Sequence, residues 1–192
     1  MNKYLKILFT LSTIPTVLSC TKQEEQPLKK PEYKQYFNAE INNKSIQIQN
    51  NLFKDRENLT GSWTGVGMNN RDQIDMYTVR VILPKAQFPS NSVLNFQVFD
   101  IKKKAYYLND AAKYLERLST HIFLAKNSGT DSTVLYTTNN LKKPFEIKIT
   151  KYELLNDSFV PIVGGKLYGV LYNVKNMTDS VTIYNGDFEV RF

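Results

Sequence analysis

The 192-residue sequence holds one cysteine, Cys20, one histidine, His121, and one tryptophan, Trp63. A single cysteine cannot form an intramolecular disulfide, so any folded part must rest on its own hydrophobic core. One histidine with one cysteine cannot supply the nitrogen and sulfur ligands of an ordinary zinc site. Serine-type hydrolysis would need His121 as its base. No Gly-x-Ser-x-Gly elbow accompanies it, so an ordinary strand histidine is expected in His121-Ile122-Phe123-Leu124. Oxygen ligands for calcium are also sparse, because neither Asp72 with Asp75 nor Asp131 beside Ser132 makes a calcium loop. Long apolar runs are missing too. The run from Ile7 to Ser19 is broken by Pro15 and falls short of the roughly 20 residues a helix needs to span a bilayer.

That short run has its own meaning. Lys3 and Lys6 precede it and Val17-Leu18-Ser19-Cys20 closes it, which are the parts of a secretory signal peptide. With cysteine at the cut, the segment resembles a bacterial lipoprotein signal. The resemblance implies a diacylglyceryl thioether on Cys20 and a third acyl chain, such as palmitate, on its amino group. Two or more chains anchor a protein stably where one gives marginal binding. Residues 1–19 are then the signal, and 20–35 a lipidated cysteine with a polar tether containing Pro27 and Pro31, about 20 Å long as a coil. The run Lys22-Gln23-Glu24-Glu25 resembles the acidic surface-export signals of Bacteroidetes lipoproteins and equally suits an ordinary solvated linker. Loss of residues 1–19 removes Lys3 and Lys6 and no acid, so the formal charge falls from +7 to +5. Export argues against a nucleic-acid partner. The modest basic balance speaks to solubility and nonspecific attraction.

Residues 36–192 contain no Pro- or Gly-rich break and read as one domain. Their pattern is of period two, the mark of strands. Tyr77, Val79, Val81 and Leu83 alternate with polar or outward positions, as do Leu94, Phe96 and Val98, and Phe145, Ile147 and Ile149. Leu167 to Val174 is apolar on both faces and is expected to be a central strand. Asn42-Asn43 suits a tight turn that sets Ala39 opposite Ile46 and Phe37 opposite Ile48. Asn185-Gly186 suits a two-residue hairpin loop with Ile183 facing Phe188 and Val181 facing Val190. Ala111, Tyr114, Leu115 and Leu118 fall at helical spacing behind Asn109 and Asp110, so a short helix is expected there. The expected fold is all-β, an antiparallel β-sandwich with one short helix, with an up-and-down β-barrel as the competing architecture.

The segment from Phe37 to Lys44 and the end from Val181 to Phe192 resemble the terminal strands of uncharacterised small Bacteroidetes lipoproteins. Asn43 departs from the glycine usual there. The resemblance implies an address in the cell envelope and an all-β domain, and it brings no catalytic residue or cofactor. Gly164-Gly165-Lys166 lacks the spacing of a phosphate loop and suits a strand bulge or turn. Lys102-Lys103-Lys104 suits a solvated turn. Asp131-Ser132-Thr133 and Asp179-Ser180-Val181 resemble short O-glycosylation sites of the same group. Trp63, between Gly61 and Gly65, and Tyr106 and Tyr107 are the candidate ligand-binding side chains, since flat rings stack on sugars or seat in protein interfaces. Tyr168 and Tyr172 extend that aromatic set. The expectation is therefore a non-enzymatic protein held at the outer membrane by lipid on Cys20, on its surface or periplasmic face, binding a glycan or an envelope protein. A structural or assembly role is the alternative, and a hydrolase the third possibility.

Overall fold

The computed structural model describes residues 34–51, 58–67, 74–154 and 161–191. Cys20, tether residues 21–33, the acidic export-like run and Asp72 lie outside these residues, whereas Lys34 and Gln35, expected as the end of the tether, already belong to the first strand. The chain there is all-β: β1 (Lys34–Ile41), β2 (Lys44–Asn51), β3 (Leu59–Val66), β4 (Ile74–Ile82), β5 (Val93–Phe99), β6 (Ala105–Leu108), β7 (His121–Lys126), β8 (Val134–Thr137), β9 (Phe145–Leu154), β10 (Pro161–Asn173) and β11 (Ser180–Arg191). All pairings are antiparallel, in the order β2-β1-β11-β10-β8-β7-β5-β4-β3. The sheet forks at β10. Pro161–Tyr168 pairs with β9, which carries β6 on its far side, while Tyr172 and Asn173 pair with β8.

Of the two architectures the sequence leaves open, the one observed is a single sheet rolled into a nearly closed, barrel-like form. Its free edge β3 comes against β1, β2 and β11. Side chains close that seam where no ladder runs. The buried amides of Gln35 and Asn50 both donate to the Leu59 carbonyl, at 2.7 and 3.3 Å, and Gln35 Oε1 accepts the Arg191 N–H at 3.3 Å. The Tyr77 phenol donates to the Val190 carbonyl at 3.1 Å. Burial pushes that phenol's pKa well up, which keeps it a donor.

The interior is filled by inward residues of every long strand, among them Phe37, Tyr77, Leu94, Phe96, Leu124, Phe145 and Phe188. The Phe96 and Phe188 rings meet edge to face with centroids 4.9 Å apart, which ties β5 to β11 across the core. Each such side chain contributes about 1.5–3 kcal/mol by leaving water. The apolar residues face inward and polar ones outward, the reverse of a barrel that spans lipid.

The β1–β2 hairpin turns at Asn42 and Asn43 (φ 49° and 62°) with Phe37 opposite Ile48 and Ala39 opposite Ile46, as the turn arithmetic requires. Leu167 to Asn173 is indeed central, with partners on both sides. Gly164 and Gly165 mark a bulge against β9.

Two expectations are corrected. Asn185-Gly186 closes no hairpin. β11 runs straight through it, and Asn185 (φ 50°) is one extra residue against both neighbours: Asn38 pairs with Asp187 and Glu40 with Tyr184 on β1, and Leu167 pairs with Gly186 and Gly169 with Ile183 on β10. The extra residue switches which parity faces inward, so Val181 and Ile183 before it and Phe188 and Val190 after it all reach the core. Gly186 suits the site because a Cβ there would lie 2.6 Å from Leu167 Cβ and 2.7 Å from its carbonyl oxygen.

The second correction concerns the helix, which shrinks to one 3-10 turn, Lys113–Leu115, with no buried residue. Asp110 does cap the local chain, accepting the Ala112 N–H at 2.9 Å. The later carbonyls are taken elsewhere. Ser119 Oγ donates toward the Lys113 and Glu116 carbonyls, and Gln97 Nε2 donates to those of Arg117 and Ser119, so the segment is held open along the sheet instead of coiling. Leu115 is left 73% exposed.

Candidate functional site

Among the described residues β6 pairs with β9 alone, and the segment 109–120 runs past its other side. Between them is a cleft of about 390 Å3 whose walls include Tyr106, Tyr107, Asp110, Lys113, Glu116 and Ser119. Alternation along β6 divides its two tyrosines. Tyr106 packs on the core with its hydroxyl donating to the Asp100 carbonyl at 2.8 Å and accepting the Lys102 N–H at 2.7 Å, whereas Tyr107 is 66% exposed. Burial raises the Tyr106 pKa. Tyr107 is therefore the exposed ring of the cleft and Tyr106 a wall packed on the core. Lys113 and Glu116 form an ion pair at 2.9 Å on the rim.

The one histidine stands beside this cleft. Ser119 Oγ lies 2.9 Å from His121 Nδ1, a serine–histidine pair in the arrangement of a nucleophile and base. The same hydroxyl lies 2.7 Å from the Lys113 carbonyl and 3.0 Å from the Glu116 carbonyl, so both compete with the ring nitrogen for its one proton. Burial lowers the His121 pKa, which keeps the ring neutral. Its plane stacks on Phe123 at 6.2 Å, and Phe123 meets Tyr114 at 5.9 Å, so the ring fastens the 3-10 turn to β7.

Tyr107 also begins a row across the outer face of the sheet. It pairs with Glu146 on β9, Glu146 with Tyr168 on β10, and Glu40 on β1 with Tyr184 on β11. The Tyr168 and Tyr184 rings sit 5.2 Å apart across the β10–β11 junction, and Tyr168 is 58% exposed. Register places Glu146 and Tyr184 in this set. Composition alone gives no sign of them, and a strand order is the signal that finds them.

Trp63 lies elsewhere, on β3 with its ring against the core, beside the Tyr152 phenol and the Asp75 carboxylate. The phenol donates to Asp75 Oδ2. Burial, then Asp75, pushes the Tyr152 pKa far up. Among the described residues the Trp63 N–H reaches no acceptor in hydrogen-bonding geometry, yet its approach to the phenol offsets part of that rise. Gly61 shares this face, and a Cβ there would strike the Tyr77 hydroxyl, so this glycine serves close packing. The structure thus joins Tyr106 with Tyr107 and places Trp63 apart from them, half-buried against the core. Tyr172 carries Lys142 over its ring at 5.8 Å.

Lys102 and Lys103 are paired in the turn before β6, to Asp100 at 2.8 Å and Glu153 at 3.4 Å. Among the described residues no three His, Cys, Asp or Glu side chains gather as metal ligands. Ser132 lies on an exposed turn, whereas Asp179 before Ser180 is held by the Tyr136 phenol at 2.8 Å and by Asn173 at 2.9 Å. Those bonds lower the Asp179 pKa, and burial with Asp179 pushes that of Tyr136 up to about 12.

No curated protein and no solved structure gives a match to the chain. Residues 34–191, from the first residue of β1 to the last of β11, match the model of the family described as Domain of unknown function (DUF5025), and the chain belongs to that family.

Proposed function

We propose that this protein is a non-enzymatic binding domain of a bacterial envelope, held at the outer membrane by lipid on Cys20 and taking a glycan on its outer tyrosine surface. The observation that carries the binding half is the row Tyr107, Glu146, Tyr168, Tyr184 and Glu40, which sets three rings among two carboxylates across five strands. Rings offer flat apolar faces to the C–H faces of a sugar, and carboxylates accept from its hydroxyls. A protein interface of this size would be depleted of glutamate at its centre. The anchoring half is supported by the signal-like run ending at Cys20. The row lies toward the far end of β1: Glu40 is six residues beyond Lys34, about 20 Å along the strand.

The test is a pull-down of labelled oligosaccharides by membranes from cells expressing the full chain. Tyr107→Ala with Tyr168→Ala should leave the protein in the membrane and lower retention at least tenfold, while Cys20→Ser should move it to the soluble fraction with binding intact. Undiminished retention by the tyrosine variant would overturn the surface, and a membrane-bound Cys20→Ser protein would overturn the anchor.

A further inference from the structure

We infer that the outer face carries a second subsite, the amide-lined basin on β1 and β2, and that the ligand spanning basin and tyrosine row is a neutral oligosaccharide lying across the strands. This rests on the binding function just proposed and names its ligand class.

The basin measures about 700 Å3 and is lined by Tyr36, Asn38, Gln47, Gln49 and Asp187. Register explains why these side chains gather: Tyr36 pairs with Gln49, and Asn38 with Gln47 on one side and Asp187 on the other. The amides of Asn38, Gln47 and Gln49 have no hydrogen-bond partner among the described residues. Each offers a carbonyl acceptor and two N–H donors, which is the complement of a sugar hydroxyl that both gives and takes.

Charge on the same face argues for neutrality. Lys166 pairs with Asp187 at 3.7 Å and Lys151 with Glu189 at 3.0 Å, so four of the charges around the basin cancel in pairs. Glu40, Glu146, Lys148 and Arg191 add two charges of each sign, and that balance gives a polyanion little to hold.

Continuity comes from β1, whose pairing with β2 is unbroken from Lys34 to Ile41. Asn38 and Glu40 therefore share a face about 7 Å apart, and Glu40 pairs with Tyr184 at the near end of the row. From β2 to β6 the surface crosses five strand spacings, about 24 Å. That length suits a chain of several sugar units and exceeds a monosaccharide.

The experiment is calorimetric titration of the full chain in detergent with a series of neutral oligosaccharides of increasing length, and with acidic ones as controls. Affinity is expected to rise with chain length and to stay constant between ~50 and ~500 mM salt. Gln47→Ala with Gln49→Ala, both exposed and remote from the core, should weaken the longer ligands about tenfold and leave the shortest unchanged. If these amide changes do nothing while Tyr107→Ala with Tyr168→Ala abolishes binding, the basin is refuted and the tyrosine surface stands. Preference for acidic glycans, with affinity falling as salt rises, would overturn neutrality. Binding to none of the series would overturn both.

Discussion

Asn42-Asn43 and Asn185-Gly186 place left-handed residues at two points of the same sheet, yet one reverses the chain and the other lets it run on. At the first, two consecutive residues have positive φ and β2 folds back on β1. At the second, Asn185 alone is left-handed and β11 continues between β1 and β10. The difference lies in what flanks them. β2 is an edge, so its hairpin has to satisfy one neighbour, whereas β11 is paired on both sides along nearly its whole length. A reversal at Asn185 would leave β1 or β10 without its ladder, and buried peptide groups without partners are costly. Long-range pairing therefore decides between two conformations that the local residues permit equally.

The contrast can be broken most severely by deleting Asn185. Parity would then be continuous, and either Val181 with Ile183 or Phe188 with Val190 would face solvent, a loss above ~4 kcal/mol that leaves no cooperative urea transition. A folded deletion variant of near-native midpoint would show that the bulge does not set register. Next in size is Gly186→Ala, whose new methyl meets the Leu167 backbone; a loss of about 2–3 kcal/mol, read as a lower urea midpoint at unchanged slope, is expected. A wild-type midpoint would mean that β10 yields at Leu167. The smallest effect sharpens the comparison: Asn43→Gly and Asn185→Gly should each raise stability by less than ~1 kcal/mol, since both relieve the same backbone cost. A clear loss at Asn185 alone would reveal that its side chain matters, through its 3.4 Å bond to Glu40.

Much of the architecture was legible because strand alternation records which face is buried. The β1–β2 register, the central β10 and the bulge at Gly164-Gly165 follow from it. Alternation records parity but not path. A two-residue loop and a one-residue bulge both switch parity once, which is why Val181, Ile183, Phe188 and Val190 point to a hairpin that does not exist. The 109–118 segment failed for another reason. Helical spacing of Ala111, Tyr114, Leu115 and Leu118 promised an apolar face, but Gln97 and Ser119, contributed by β5 and by the strand approach, take the carbonyls. For the candidate site, the aromatic character of Tyr106 and Tyr107 was visible in the chain. Their division into a wall and an exposed ring needed burial, and their extension through Glu146, Tyr168 and Tyr184 needed strand order. Trp63 looks identical in sequence whether it stacks on a ligand or packs on a core, and its half-buried place against the core beside Asp75 and Tyr152 needed the fold.

The placement of β11 also bears on how the molecule can be made. The strand that stands between β1 and β10 is synthesised after the other ten, and it brings together Tyr36 and Asp187, which are 151 residues apart. Hairpins such as β3–β4 can form as they emerge, but the bond from the Arg191 N–H to Gln35 has no donor until β11 arrives. A chain delivered amino end first thus keeps its sheet open until β11 has been made.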